Sequence, residues 1–515
     1  MKKLFCFALI AVMLLSLLAG CSNNNGKTDD TKQSGGKTAR TDLIYSIRSD
    51  PQSLDPAQCS DLVAFQVMHQ IFDTAVLYQT DGSIEPGAAK SWEYLDNDTR
   101  IRFHLRDDVV FHNGDKMTAE DVAFSWNRQI IDAFKYSKLV TSNLDHAEVV
   151  DDYTVDLYLK NAFGPVLYCI GNAHMAIYSK RAVEEMGNEA FGRAPVGSGP
   201  YKVVNWQSGD YITLTANENY WRGSPTIKDI TFKISTDVSA AAIALENGDV
   251  DFIYEPSSAD KAHLTSLDNV SYYSTLQTGS CFLIMKLDEG PFADVRVRQA
   301  VDYALNRDEI VLGVLDGEGM PINNMCPPSV FGYDESVKGR TQDIAKAKEL
   351  LAEAGYPDGF TVTLTCSEKA TTSKSADILQ DQLAKIGITL NLNKLENATW
   401  LAKVPSGAGE YEIACATLLG NYPDWDYQAI LFTDTDKYAT GIKDAHLDEL
   451  FKQAAQTMDT EKRQAYYTEA QQIITENAYF IPLFSLYEEA ACNSNLKGVQ
   501  KSPISRFYVF DWSWQ

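Results

Sequence analysis

The chain has 515 residues, with 45 Lys or Arg against 70 Asp or Glu, a formal charge of −25 at neutral pH. Nucleic-acid phosphates are held by clustered basic side chains, so that class of partner is excluded. Acidity of this size favours solubility and repels anionic lipid head groups, and the length is enough for two or three domains.

The chain opens on Lys2 and Lys3, then an apolar run from Leu4 to Leu18 that ends in Leu18-Ala19-Gly20-Cys21. A positive start, a short apolar stretch and small residues at its end predict a signal peptide over residues 1–20. The run falls short of the ~18–20 residues that span a bilayer, and nothing like a stop-transfer segment follows. Cleavage behind Gly20 leaves 43 basic and 70 acidic side chains, a formal charge of −27. The Cys21 thiol is the only nucleophile placed to take a lipid, and Leu18–Cys21 resembles the lipobox of bacterial lipoproteins. Ser22–Thr41 carries no apolar side chain larger than alanine, so residues 21–41 read as a lipidated, disordered tether that holds the body roughly 25 Å from its anchor. An extracytoplasmic body follows, fixed to the bacterial cell membrane by acyl (palmitate-type) chains, at the cell surface or in the periplasm.

Beyond the tether, Asp81-Gly82 and Asn113-Gly114 are turn signals among short alternating runs at 100–105, 154–159 and 211–215, which predicts antiparallel sheet. Further on, Ile344, Ala347 and Leu351 recur at helical spacing, with Gly355 and Pro357 as the stop. Phe360, Val362 and Leu364 alternate with threonines as a strand. Ala376, Leu379, Leu383 and Ile386 form a second helical stripe, and Ile388, Leu390 and Leu392 a second strand. Strand, helix and strand with short joins make a βαβ unit with parallel strands. No repeat of 20–50 residues is present, which excludes a solenoid or propeller.

Ligands of open α/β sheets collect beyond the carboxyl ends of the strands. That places Cys366–Lys374 along a crevice, with Lys369 or Lys374, near a helix amino terminus, as the candidate for an anionic end of a ligand; the competing reading is a solvated loop lysine. A buried strand over 413–419 leads into Gly420–Tyr427, a loop dense in polar and aromatic groups and a second binding candidate, whose alternative is an ordinary turn.

Catalytic chemistry finds no foothold. The seven histidines are scattered, with no HExxH. Gly197-Ser198-Gly199 is not a G-x-S-x-G elbow, and its flanking prolines suit a rigid turn. Gly36-Lys37-Thr38 lacks the earlier glycine of a phosphate loop, Thr31 standing in its place. Beyond Cys21 there are seven cysteines, an odd number without metal-ligand spacing, which reads as buried thiols. No nucleophile, base and oxyanion donors coincide. Binding without catalysis, and with no cofactor or metal, is the expectation; an exported hydrolase using a cleft serine is the competing class.

A series of motifs then carries a resemblance: Ser53–Pro56 (SLDP), Pro86–Trp92 (PGAAKSW), Phe103–Asn127, Gly197–Tyr201 (GSGPY), Asn217–Trp221 (NENYW), Leu245–Asp251 (LENGDVD), Pro291–Ala300 and Ala345–Gly359. In this order, over about residues 43–490, the chain resembles the peptide/nickel-type extracellular solute-binding proteins of ABC importers, solute-binding family 5. The resemblance implies an α/β, two-lobed periplasmic-binding-protein-like (type II) fold with an inserted third subdomain. Lobe one is expected at 42–285 plus 485–515, with the insert at about 80–195, and lobe two at 286–484. It implies a monomeric receptor that captures oligo- or dipeptides by hinge closure and delivers them to permease subunits; nickel chelates, haem or sugars are the alternatives. In peptide-binding relatives an aspartate receives the ligand's ammonium. By position in the loop, that residue is Asn421 here, which carries no charge. Either Asp424 or Asp426, beside Trp425, supplies it, or the solute lacks a free amino terminus.

Overall fold

The computed structural model describes residues 40–515 apart from positions 60, 80–81, 131–137, 406–408, 421, 434–437, 501–503 and 505. The signal peptide, most of the tether and the expectations at Cys21, Asp81 and Asn421 lie outside the described residues.

A mixed sheet runs through the body. Its strands follow the order Ile388–Leu395, Phe360–Ser367, Ile413–Leu418, Ser280–Met285, Phe480–Asn493, Phe252–Tyr254, Asp42–Ile47, Asp229–Ile234, Tyr211–Ala216 and Tyr201–Gln207. The expected βαβ unit is present: Phe360–Ser367 and Ile388–Leu395 pair in parallel along their whole length, joined by the helix Ala370–Ala384. Hydrophobic alternation sets this register, since Val362, Leu364, Ile388 and Leu390 all face one buried cluster.

The long strand Phe480–Asn493 connects the two halves of the sheet. Its first residues pair with Ser280–Met285, and its last ones with Phe252–Tyr254 and Val270–Leu276. The chain crosses between the halves at two places, residues 277–279 and within the long strand near Tyr487. Ser280–Met285 therefore belongs with the second half, and the first crossing comes before this strand rather than after residue 285 as expected. Gly279 allows it: a Cβ there would stand 2.6 Å from the Leu418 carbonyl oxygen.

A separate antiparallel sheet, ordered Ala89–Leu95, Arg100–Leu105, Thr154–Leu159, Leu144–Asp151, is inserted between Asp42–Ile47 and Tyr201–Gln207. It packs on the helix Ala119–Ile130, whose fully buried Trp126 meets Phe103 edge-on at 5.3 Å. Burial of such a side chain is worth on the order of 3 kcal/mol, so this insert has a core of its own.

Three of the sequence motifs have side chains in internal bonds. Asp55 of SLDP takes two 2.7 Å bonds from the buried Arg128 guanidinium. Ser198 of GSGPY and Tyr220 and Trp221 of NENYW all donate to Asp73, at 2.9, 2.9 and 3.2 Å. Burial still pushes the Asp73 carboxyl up to about 6, against those three donors. All seven cysteines after Cys21 are buried and free, with Cys281 and Cys415 Sγ atoms 3.7 Å apart.

Candidate functional site

The strand Ile413–Leu418 delivers the loop that follows it to the junction of the two halves. Leu419 is 57% exposed at its start. Gly420 is pinned by its carbonyl, which accepts a 3.0 Å bond from the Thr278 hydroxyl on the first crossing. Tyr427, at the far end of the loop, donates its hydroxyl to the Thr278 carbonyl. Both ends of the loop are thus fastened to the segment that joins the halves.

Between those fastenings the side chains divide. Asp424 is fully buried and caps the short helical turn Trp425–Gln428. Arg463 Nη2 donates to its two oxygens at 2.9 and 2.7 Å, and the Tyr467 hydroxyl donates at 3.0 Å. Trp425 is also fully buried, with its indole N–H on Gln428 Oε1 at 2.9 Å. Neither residue lines the two cavities described below. Asp426 does: it faces a cavity of about 620 Å³ and accepts a 3.2 Å bond from Tyr422. Enclosure by protein, and next the Asp424 charge, push its carboxyl up to about 7.

Lys369 and Lys374 are exposed and line neither cavity. Lys369 is the N-cap residue of Ala370–Ala384 without a side-chain cap bond, and the first turn is closed by Thr372 on Ser367 instead.

A second cavity, of about 290 Å³, sits at the junction itself. The first half contributes His69 and His174, the crossing contributes Gln277 and Thr278, and the loop contributes Leu419 and Gly420. Charges of both signs line it, with Arg506 as the cation and Glu255 and Glu488 as the anions. Glu488 accepts the Tyr254 hydroxyl, and Arg506 donates to the Gly171 carbonyl at 2.9 Å. Burial lowers His69 to about 3 and His174 to about 4, so both imidazoles are neutral at pH 7. His69 Nδ1 and Gln277 Oε1 are buried with no partner among the described residues. Unmet buried polar atoms cost free energy, and both of these belong to residues that line the cavity.

Sequence reading missed this set. One signal was available: Glu488 and Glu489 interrupt the otherwise apolar run of Phe480–Asn493, and a carboxylate in the middle of a buried strand needs a reason. His69 shares a face of the helix Leu62–Ile71 with Leu62 and Phe65, an apolar spacing that reads as an ordinary packing face.

Residues 83–440 match the model of the bacterial extracellular solute-binding proteins, family 5, middle region. The chain belongs to that family. This family 5 solute-binding protein is 26% identical over 524 residues to the haem-binding protein A of Haemophilus influenzae, across 95% of each chain. It is 27% identical over 486 residues to the glutathione-binding protein GsiB of Salmonella paratyphi A, covering 92% of this chain and 94% of the relative. Among solved structures, the periplasmic binding protein DppA of Helicobacter pylori, in complex with the peptide STSA, superposes with a TM-score of 0.75 at 27% identity, over 92% of this chain and 98% of that one. The α/β fold is therefore the type II periplasmic-binding-protein fold, and the family places the protein outside the cytoplasm as a substrate-binding component of an ABC importer. Members of the family are transport binding proteins rather than enzymes. No helix among the described residues is long and apolar enough to cross a membrane.

Proposed function

We propose that this protein captures short peptides in the cavity at the junction of its two halves and delivers them to the permease of an ABC importer. The observation that carries the reading is the lining of that cavity: opposite charges, from Arg506 and from Glu255 and Glu488, in about 290 Å³. A peptide with free ends is a zwitterion with an apolar or polar body, and backbone-like acceptors such as Gln277 suit its amides. The volume lies at the lower edge of the roughly 300–1,000 Å³ of small-molecule sites, which favours di- and tripeptides over long ones. Binding would draw the halves together about the crossings at 277–279 and Tyr487, because a solute touching both halves stabilises the closed arrangement. The protein acts as a monomer, held at the membrane by lipid on Cys21. A ligand at ~100 times its dissociation constant raises stability by about 2.7 kcal/mol. Di- to tetrapeptides should therefore raise the melting temperature where free amino acids do not, and a peptide series without any shift would sink the reading.

Haem is the second reading. It is favoured by His69 and His174, two neutral imidazoles on one cavity, and neutral imidazole is the form that ligates iron. Titration with haemin followed by visible absorbance tests it: a sharpened Soret band lost in both His69→Ala and His174→Ala would replace peptide with haem as the cargo.

A further inference from the structure

The larger cavity, about 620 Å³, lies on the other side of Leu419 from the junction. Its walls come from segments distant in sequence: Phe163 of the inserted subdomain, the loop carrying Tyr422 and Asp426, and Phe451 and Lys452 of the helix Ala445–Gln456. These walls are held together. The Gly164 N–H donates to the Ala455 carbonyl at 2.6 Å, and a Cβ on Gly164 would stand 2.7 Å from the Thr457 carbonyl oxygen. The segment bearing Phe163 is therefore clamped against the end of the helix, and the space between them is built rather than a gap at a loose surface.

Just over half of the lining is apolar, and Asp426 is one of three carboxylates that face it. Among the described residues its carboxylate accepts one hydrogen bond, from Tyr422. No lysine, arginine or histidine forms an ion pair with it among the described residues. The Arg463 guanidinium, which acts on Asp426 only through its charge, spends its Nη2 bonds on Asp424 and the Tyr467 hydroxyl, so two carboxylates share one cation. Asp448 and Glu449 add to the same cavity, against Lys452 alone. Enclosure and the Asp424 charge hold the Asp426 carboxyl near neutrality of titration at physiological pH, and a cation beside it would favour its ionised form.

We infer that this cavity is a second binding pocket, built to take an apolar chain that ends in a cation, with Asp426 receiving the positive end. That chemistry belongs to the lysine or arginine side chain of a peptide, whose backbone the junction would hold across Leu419, or to a free alkylammonium. Long basic side chains carry an apolar stem behind their charge, which matches a lining of Phe163, Tyr422, Ile430 and Phe451 beside the Asp426 carboxylate, with Asp448 and Glu449 adding negative charge. The peptide source rests on the function proposed above; the pocket itself does not.

Calorimetric titration of the whole mature protein with Ala-Lys-Ala, Ala-norleucine-Ala and n-pentylammonium separates the two. Norleucine keeps the stem of lysine without its charge. The wild type should prefer the lysine peptide by about tenfold or more, on the order of 1.4 kcal/mol, and Asp426→Asn should reduce that ratio to less than about twofold. Ile430→Trp, which fills the cavity and keeps the Asp426 carboxylate, should reduce it as well and guards against misfolding of the first variant. Peptides bound without a preference for lysine, or a preference that survives both substitutions, would overturn the pocket and leave the peptide function standing. Binding of n-pentylammonium in an Asp426-dependent manner with no peptide bound would keep the pocket and discard the peptide function. Failure of all three probes would discard both.

Discussion

Asp424→Asn separates two roles that the loop sequence alone left open. As a ligand contact, Asp424 would lose binding when its charge is removed; as an internal partner of Arg463, it would lose stability. Its side chain is fully buried, and that of Arg463 is 5% exposed. Asparagine keeps the volume, still caps the turn by accepting from Asp426 N–H, and can still accept the Tyr467 hydroxyl. The negative charge that balances the buried guanidinium is what disappears. Breaking a buried pair by removing one partner costs about 3–5 kcal/mol, and the retained bonds place this substitution near the lower end, about 3 kcal/mol. Urea unfolding followed by tryptophan fluorescence measures it, with Trp425 packed in tilted and edge-on contacts against Phe432, Phe451 and Tyr467 as a local reporter. Removing the cation too, in Asp424→Asn/Arg463→Met, should recover part of the loss, because the unbalanced charge is gone. Ligand affinity of the folded variant should change by less than about threefold. A loss of stability under about 1 kcal/mol together with abolished binding would refute the internal role and return Asp424 to the ligand.

The raised Asp73 carboxyl makes a pH prediction. Its folded value of about 6 exceeds the ordinary 3.8, so its contribution is full below 3.8 and declines as pH rises through 6; Asp73→Asn should flatten that part of the stability profile in urea titrations at pH 4 to 7, and an unchanged slope would contradict the assignment. Asn421→Asp should tighten binding of peptides with free amino termini relative to their N-acetyl forms, since a desolvated charge pair is worth about 2–5 kcal/mol; equal affinities for both forms would show that this position does not read the amino group. Cys21→Ala should leave the precursor unprocessed at Gly20 and without metabolically incorporated palmitate, and normal cleavage there would rule out the lipid anchor.

What the sequence made legible follows from which forces are local. The βαβ unit at 360–395 could be read because its period-2 and helical stripes are each written in about ten consecutive residues, and the pairing of Phe360–Ser367 with Ile388–Leu395 follows from them. The first crossing could not be read. It depends on Ser280–Met285 choosing Ile413–Leu418 as a neighbour 134 residues away, Cys281 beside Cys415, and an all-apolar strand satisfies either half of the sheet equally well. The loop at 420–427 was found for a local reason, polar and aromatic residues after a buried strand, yet its side chains were sorted by a residue far along the chain. Arg463 reaches across from the helix Thr460–Asn477 to claim Asp424, and that claim leaves Asp426 as the carboxylate facing open space. Two aspartates separated by one residue are equivalent in the sequence; a single distant guanidinium makes one of them core and leaves the other on a cavity wall. Lys369 and Lys374 illustrate the converse. A helix amino terminus at a strand's carboxyl end marked them, but the strand Phe360–Ser367 lies one place beyond Ile413–Leu418 from the junction, so the crevice it overlooks is not the one where the halves meet. Position within the sheet order, which no short stretch of sequence encodes, decides which of two similar strand ends reaches the junction of the halves.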